Sequence, residues 1–186
     1  SEGIEPDTII SFLATIGTSN DVGMYKFDQL LEMFSLDKVS RSTPKIFLTE
    51  LLDLNRKNFA SMSYEEVRGR YDIKNEDFWN LIKQNVETHF DIEEWTKICF
   101  EDININFKDK SFTAKIFDLL SNLGQEKDWA EIWIQEIRQN FVNMKGKEIF
   151  HALRMLISGR ETGPHFIDLI KFIGYEKVKE RLEKNL

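Results

Sequence analysis

The chain has 186 residues, of which 31% are charged and 41% hydrophobic, and a formal net charge of −7. A chain of this length buries about 70% of its unfolded surface, enough for a core without disulfides or metals. The single cysteine, Cys99, excludes an intrachain disulfide framework and a cysteine-based zinc cluster, and it fits a reducing compartment. No apolar run approaches the roughly 18 residues of a membrane span, and no signal sequence opens the chain. We therefore expect a soluble, cytoplasmic protein with no membrane partner.

The hydrophobic pattern is helical along the first hundred residues. It predicts a helix capped by Asp7 and ended by Gly17, a short helix over 27–34 and a helix over 47–59. Ser63 and Glu66 have the spacing of a capping box. The next two helices are predicted to open at Asn75 or Asp77 and at Asp91.

The remaining elements are also predicted as helices. Residues 101–110 alternate apolar and polar but have no second strand pattern to pair with, so we interpret them as a connector. Asp128 and Glu131 predict a capping box, Gly159 a left-handed turn after a helix over 146–158, and Pro164 the first position of the next helix. A charged helix over 176–186 closes the chain. With no βαβ alternation and no long repeat, the predicted fold class is all-α.

The charge is distributed unevenly. Residues 141–186 contain nine Lys or Arg and six Asp or Glu, a net charge of +3, whereas the preceding residues carry −10. This asymmetry fits a solvated charged helix at the end of an acidic protein, or a local basic surface for an anionic partner. Charge alone favours the first interpretation.

The sequence contains no pattern typical of a catalytic or metal site. The three histidines, His89, His151 and His165, do not pair with each other at a ligand spacing, so we expect no metal. There is no nucleophile elbow and no glycine-rich phosphate loop, which makes a small hydrolase improbable. Cys99 and the four tryptophans lie in apolar stripes and are expected to be core residues.

One segment combines an arginine with a glycine-rich turn. Arg154 lies inside an apolar helix, and Gly159 to Gly163 and Pro164 follow it before the next helix begins. The guanidinium either satisfies helix carbonyls or presents its planar fork of donors to a ligand such as a base edge or a phosphate. A helix N-terminus beside it adds free backbone amides. The residues leave both interpretations open.

The end of the chain, GKEIFHALRMLISGRETGPHFIDLIKFIGYEKVKERLEKNL (146–186), closely resembles the C-terminal end of bacterial-type glutamyl-tRNA synthetases. Two earlier segments resemble the region after that family's KMSKS-type loop: EGIEPDTIISFLATIGTS (2–19) and FSLDKVSRSTPKIFLTELLDLNRKNF (34–59). The resemblance covers nearly the whole chain and is weakest from about 100 to 140.

The resemblance implies the C-terminal part of a glutamate–tRNA ligase. The full protein would attach glutamate to tRNA(Glu) using ATP with Mg²⁺, and tRNA(Gln) would be a second substrate if discrimination is relaxed. This chain has neither the HIGH-type nor the KMSKS-type motif, so it is expected to be non-catalytic and to hold no cofactor itself. We expect a monomeric multi-helix cage with no Rossmann domain, divided into a stem-contact-like region (1–62) and two anticodon-binding subdomains (63–105 and 106–186).

The resemblance also implies site residues. Arg154 matches an anticodon-contacting arginine, and Gly163 and Pro164 match the turn whose backbone reads a neighbouring base, with Phe166 as an apolar wall. His89 stands where several members have an arginine that reads the last anticodon base. Charge alone suggests three phosphate contacts, at Lys145, Lys147 and Arg160. The competing hypothesis is a free-standing all-helical interaction module without an RNA partner; no interpretation involves DNA.

Overall fold

The fold is all-α, as the sequence predicts. The structure, a computed structural model, describes residues 2–125 and 127–186. Over this part the chain forms eleven α-helices and two 3₁₀-helices, and the β pairing there is a single antiparallel bridge between Thr18 and Val39. Within the same residues, no helix is long and apolar enough to cross a membrane.

The chain divides into two compact units, Ser1–Glu94 and Trp95–Leu186. In chain order the helices are α1 (Pro6–Thr15), α2 (Phe27–Met33), α3 (Leu48–Ser61), α4 (Tyr64–Arg68), α5 (Glu76–Ile82), α6 (His89–Phe100), α7 (Lys110–Leu123), α8 (Trp129–Asn140), α9 (Gly146–Ser158), α10 (Phe166–Ile173) and α11 (Tyr175–Glu183). The 3₁₀-helices are Leu36–Lys38 and Lys83–Asn85.

The core of the first unit is built by α3 to α5 and the chain that follows them. Its fully buried side chains include Phe59, Val67, Phe78, Trp79, Ile82 and Val86. The predicted capping box at the start of α4 is present, because the Ser63 amide donates to Glu66 and the Glu66 amide donates to the Ser63 hydroxyl. Asn75 caps α5 by accepting from the Phe78 amide at 2.8 Å.

The first helix differs from its prediction in two ways. Its N-cap is Glu5, with Pro6 at the first helical position, so the predicted cap at Asp7 is wrong. The buried face of α1 consists of Phe12 with small hydroxyl side chains, whereas the large apolar residues Ile9, Ile10 and Leu13 are exposed. The polar face can be buried because it is hydrogen-bonded to α3: the Thr8 hydroxyl donates to Asn55 and accepts from Asn58, both at 2.9 Å.

The second unit has a core rich in aromatic side chains. All four tryptophans of the chain are buried, as predicted, and three of them belong to this unit. Cys99 is also a buried core residue, and burial raises the pKa of its thiol to about 12. Residues 101–109 form no strand, in agreement with their interpretation as a connector, and Asp109 caps α7 by accepting from the Phe112 amide.

Two predicted helix starts and one predicted capping box in the rest of the chain need correction. Asp91 lies inside the first turn of α6, which begins at His89, and its carboxylate accepts from the Glu87 and Thr88 amides. Asp128 is the N-cap residue of α8, as predicted, but its side chain makes no capping hydrogen bond, and the Glu131 carboxylate pairs with Lys171 rather than closing the box. Pro164 lies two residues before the first residue of α10. Its carbonyl accepts from Arg154, and the first carbonyl to accept a helical amide is that of His165.

Candidate nucleic-acid interface

Helix α9 and the turn after it present the arginine singled out in the sequence. The helix buries an apolar face that includes Ile149, Leu153, Leu156 and Ile157. It ends at Gly159, whose φ of +69° is the predicted left-handed conformation and whose amide bonds to the Met155 carbonyl. Arg154 lies beside this apolar face and is half-buried, one turn before the end of the helix.

The Arg154 guanidinium is directed at the turn between α9 and α10. Its Nη2 donates to the Pro164 carbonyl at 2.6 Å, and its central carbon lies 5.7 Å from the centre of the Phe166 ring. Its Nη1 is buried and has no hydrogen-bond partner within the described residues. Burial lowers the pKa of this group, which nevertheless stays charged at neutral pH because guanidinium pKa values are so high. One donor therefore holds the turn, and the guanidinium is not sealed inside the core.

Gly163 is packed against Trp95 and Arg154 and has no room for a side chain. A Cβ atom on Gly163 would lie 2.3 Å from Cη2 of Trp95, 2.7 Å from Cζ2 of the same ring and 3.4 Å from Nη1 of Arg154. Trp95 is 1% exposed, so its ring cannot swing aside to admit a methyl group. Glycine is therefore required here by close packing.

Cations alternate with aromatic rings around the turn. Arg160 stacks over the Trp95 ring at 5.1 Å, and the Phe150 ring meets Phe166 edge-on at 6.0 Å. The exposed Arg138, on α8, lies over the Phe150 ring, 5.2 Å from its centre. The rings of Trp95 and Phe166 are almost fully buried, so the planar surfaces left for an unpaired base are the guanidinium groups and the half-buried Phe150 ring.

The structure brings most of the predicted site residues together and adds others. Arg154, Gly163, Pro164 and Phe166 form one cluster, and Arg160 joins it through Trp95. The sequence analysis missed Trp95, Phe150 and Arg138 as parts of this cluster. Phe150 had a signal, because a residue four positions before Arg154 shares its side of the helix. The other two reach the cluster from distant helices, and no sequence period indicates such contacts.

The two predicted lysine contacts lie at the start of α9. Lys145 is its N-cap residue, Lys147 belongs to its first turn, and both are exposed. Lys147 and Arg154 are seven residues apart, so they lie on the same side of the helix, about 10 Å apart along its axis. Their positive charges therefore follow one edge of α9.

His89 belongs to the first unit. It opens α6, is half-buried, and its ring stacks on Tyr71 with the ring centres 5.9 Å apart. The Tyr71 hydroxyl donates to the buried Glu5, and burial together with this contact raises the Tyr71 pKa. The Glu5 carboxylate also accepts from Arg70 at 2.7 Å. The Tyr71 ring that stacks on His89 is therefore held in place by its hydrogen bond to Glu5.

The surroundings of the histidines determine whether they could hold a metal ion. Within the described ranges, no group of three or more His, Cys, Asp or Glu side chains is placed to hold a metal ion. The ring of His165 instead approaches the carboxylate of Asp168 at 3.3 Å on the exposed start of α10.

Comparisons with known proteins identify the family of the chain. The family model described as anticodon binding domain matches residues 47–186. The chain is 34% identical to glutamate–tRNA ligase 1 of Ehrlichia chaffeensis and 31% identical to that of a Wolbachia from Brugia malayi. These alignments cover 98% and 97% of this chain but 42% of each relative, so the chain spans less than half the length of the proteins it matches.

A solved structure also has this fold. A glutamate tRNA ligase from Elizabethkingia meningosepticum, crystallised in complex with its amino acid, aligns with a TM-score of 0.69 and 20% identity over 99% of this chain and 41% of the other. At this identity the likeness concerns the fold alone. The family model, in contrast, matches well over half of the sequence, and the chain therefore belongs to the anticodon binding domain family.

Proposed function

We propose that this chain is the tRNA-binding, anticodon-recognition part of a glutamate–tRNA ligase. The observation that carries the proposal is the cluster of Arg154, Gly163, Pro164 and Phe166, which offers a planar cation and a backbone turn, supported from below by the buried Phe166 ring. The relatives' names and the family match support the same conclusion. The complete ligase would join glutamate to tRNA(Glu) in the cytoplasm, with ATP and Mg²⁺ bound outside the residues present here.

The proposed mechanism of recognition uses the chemistry of single-stranded RNA. Anticodon bases are unpaired, so their edges and faces are accessible to side chains. Donors of the Arg154 guanidinium other than the buried Nη1 and the Nη2 hydrogen that holds Pro164 would bond a base edge. The backbone of Gly163 and Pro164 would bond a neighbouring base, and Phe166 would limit the pocket on its apolar side. Phosphate contacts from Lys145, Lys147 and Arg160 would set the register.

His89 bears on the choice between tRNA(Glu) and tRNA(Gln). We propose that its ring reads the last anticodon base, as an arginine does in similar proteins. An imidazole offers fewer donors than a guanidinium and no planar fork, so discrimination between the two tRNAs would be weaker than with arginine at this position. His89→Arg should therefore raise the preference for tRNA(Glu), and binding of both tRNAs to this variant and to the unaltered chain checks this assignment.

Three further assignments stay predictions. The division into a stem-contact-like region (1–62) and two anticodon-binding subdomains (63–105 and 106–186) is checked by footprinting the RNA with each segment altered in turn. The monomeric state is checked by sedimentation equilibrium with and without tRNA. Absence of aminoacylation by the chain alone is checked with tRNA, glutamate and ATP.

The main test replaces the central arginine. For Arg154→Ala we expect a loss of about 1–3 kcal/mol in tRNA(Glu) binding, the scale of one base contact. Arg154→Lys keeps the charge but not the fork and should lose nearly as much. The control is Lys184→Ala, which removes an exposed cation of the same unit that pairs with Asp102. Unchanged affinity for Arg154→Ala, with thermal unfolding and circular dichroism intact, refutes the base contact.

Salt dependence tests the phosphate contacts. Three contacts to single-stranded RNA predict that the logarithm of the binding constant falls with the logarithm of salt concentration with a slope near −2. Lys147→Gln should make that slope less steep by about 0.7 without changing which anticodon is preferred. A slope near zero, or equal binding of a tRNA with a replaced anticodon, favours the alternative of a helical interaction module without an RNA partner.

A further inference from the structure

The strongest unassigned feature is the contact between Trp95 and the turn that follows α9. Trp95 lies in α6, is almost fully buried, and approaches the turn with the outer edge of its six-membered ring. Two turn residues meet it: Gly163 packs against this edge, and Arg160 stacks on the ring at 5.1 Å. Neither the family match nor the names of the relatives assign a role to this side chain.

The way in which Trp95 is held shows that its shape matters more than its polarity. Its indole Nε1 is buried and has no hydrogen-bond partner within the described residues. Trp79 and Trp133, in contrast, donate their indole N–H to the carbonyls of Met62 and Ile116. A buried donor without an acceptor is unfavourable, so hydrogen bonding does not explain a tryptophan at this position. The contacts with Gly163 and Arg160 do.

The same contact determines where the Pro164 carbonyl lies. A Cβ atom on Gly163 would meet both Cη2 of Trp95, at 2.3 Å, and Nη1 of Arg154, at 3.4 Å, so the turn backbone, the ring edge and the guanidinium lie side by side. Pro164 follows directly, and its carbonyl accepts from Nη2 of the same guanidinium. The position of the Trp95 ring therefore sets both the path of the turn and the orientation of the guanidinium.

We propose that Trp95 is a positioning residue for RNA recognition, whose ring edge holds Gly163 and Pro164 against Arg154 so that the guanidinium and the turn backbone are presented together to an unpaired nucleotide. This inference rests on the proposed function and names a residue on which that function depends. It predicts that positions 95 and 163 are coupled through the volume that they share.

The test exploits that shared volume. Gly163→Ala places a methyl group in steric conflict with the edge of the Trp95 ring. It should weaken binding of the tRNA(Glu) anticodon stem–loop by about tenfold or more, the scale of a lost base contact. Trp95→Phe removes the atoms that this methyl group would meet and breaks no hydrogen bond, and by itself it should also weaken binding because the turn loses the ring edge that holds it. The double variant Trp95→Phe/Gly163→Ala should therefore bind more tightly than Gly163→Ala alone.

The matched control is Trp133→Phe, which alters another buried tryptophan of the same unit. Trp133 donates its indole N–H to the Ile116 carbonyl and packs against the Trp129 ring. Trp133→Phe should lower thermal stability at least as much as Trp95→Phe, because it loses a buried hydrogen bond that Trp95 does not make, yet it should neither weaken RNA binding nor restore it in Gly163→Ala.

A second readout needs no RNA. In the full chain, the side-chain NMR signals of Arg154 report the Nη2 bond to Pro164 through slowed rotation and proton exchange. We expect this signature to be lost in Gly163→Ala and regained in the double variant. Retention of the signature in Gly163→Ala, or no gain of either signature or RNA affinity in the double variant, overturns the positioning role.

The two readouts also separate this inference from the proposed function. If the unaltered chain does not distinguish the anticodon stem–loop from one with replaced anticodon bases, the proposed function fails and the RNA role of Trp95 fails with it. If the unaltered chain does distinguish them and the double variant stays as weak as Gly163→Ala, the proposed function survives and the positioning role alone is refuted.

Discussion

At the scale of single residues, Arg181 is the buried charge that holds α9 in place. It is 3% exposed, and it donates to the Ile157 carbonyl at 2.9 Å and to the Ile98 carbonyl at 2.5 Å. A third, longer bond reaches Glu101. These carbonyls belong to the last turns of α9 and α6 or follow them, where helices lack amide partners and carry partial negative charge. Arg181 therefore supports the helix end that carries Arg154.

Substitution of Arg181 tests this role. Arg181→Leu should lower the free energy of unfolding by about 3 kcal/mol, because it leaves several buried carbonyls without donors. Lys184→Leu, an exposed change on the same terminal segment, should stay within about 0.5 kcal/mol of the unaltered chain. Urea unfolding followed by circular dichroism measures both. A loss below about 0.5 kcal/mol for Arg181→Leu would show that the carbonyls find other donors.

At the scale of elements, α4 depends on its cap more than on its length. The helix has five residues, too few to be stable by backbone hydrogen bonds alone. The Glu66 carboxylate accepts from both the amide and the hydroxyl of Ser63 at 2.7 Å. These hydrogen bonds, the one from the amide first, hold the pKa of Glu66 below its ordinary value of 4.5.

This lowered pKa predicts how the cap responds to pH. The stabilisation is complete above the ordinary value of 4.5 and is lost as the pH falls through the lower folded-state pKa, since protonation removes the negative charge that strengthens both hydrogen bonds from Ser63. We expect Glu66→Gln to be less stable than the unaltered chain at pH 7, with the difference shrinking below pH 4. Thermal unfolding from pH 7 to pH 3 measures it, with Glu65→Gln as the exposed control. A difference that does not vary with pH would contradict the assignment.

At the scale of the whole molecule, exposed apolar side chains are concentrated in one stretch. Twelve of the fifteen large hydrophobic side chains exposed in the described residues lie between Ile9 and Leu48. Helix α2 buries none of its residues, nor does the 3₁₀-helix after it. Apolar surface concentrated in this way is typical of a face that packs against other protein.

The exposed apolar stretch predicts binding of a hydrophobic dye. The double variant Leu31→Ser/Phe34→Ser should reduce dye fluorescence and change the free energy of unfolding by no more than about 0.5 kcal/mol, because neither side chain is buried. Val142→Ser, which alters an equally exposed residue of the second unit, should leave the fluorescence nearly unchanged. Equal dye emission from the double variant and the unaltered chain would show that this stretch is not accessible as described.

The helices and most of their ends follow from the sequence by itself. Helical periodicity, the Ser63–Glu66 pair, the Asn75 cap and the turn at Gly159 all depend on residues close together in the chain, so local spacing is sufficient to predict them. The apolar stripes also identified the buried tryptophans. The resemblance of 146–186 to the C-terminal end of the family identified Arg154, Gly163 and Phe166 as candidate site residues. This inference also depends only on residues within one short segment.

The tertiary structure alone decided which surfaces face inward and how the turn is held. The apolar Ile9 and Leu13 of α1 are exposed, whereas hydrogen bonding between α1 and α3 buries Thr8. The Pro164 carbonyl bonds to Arg154 rather than to the helix that follows. Trp95 meets Gly163 from a distant part of the chain. Such contacts depend on packing between separate helices, which leaves no period in the sequence, and so they are decided when the helices come together.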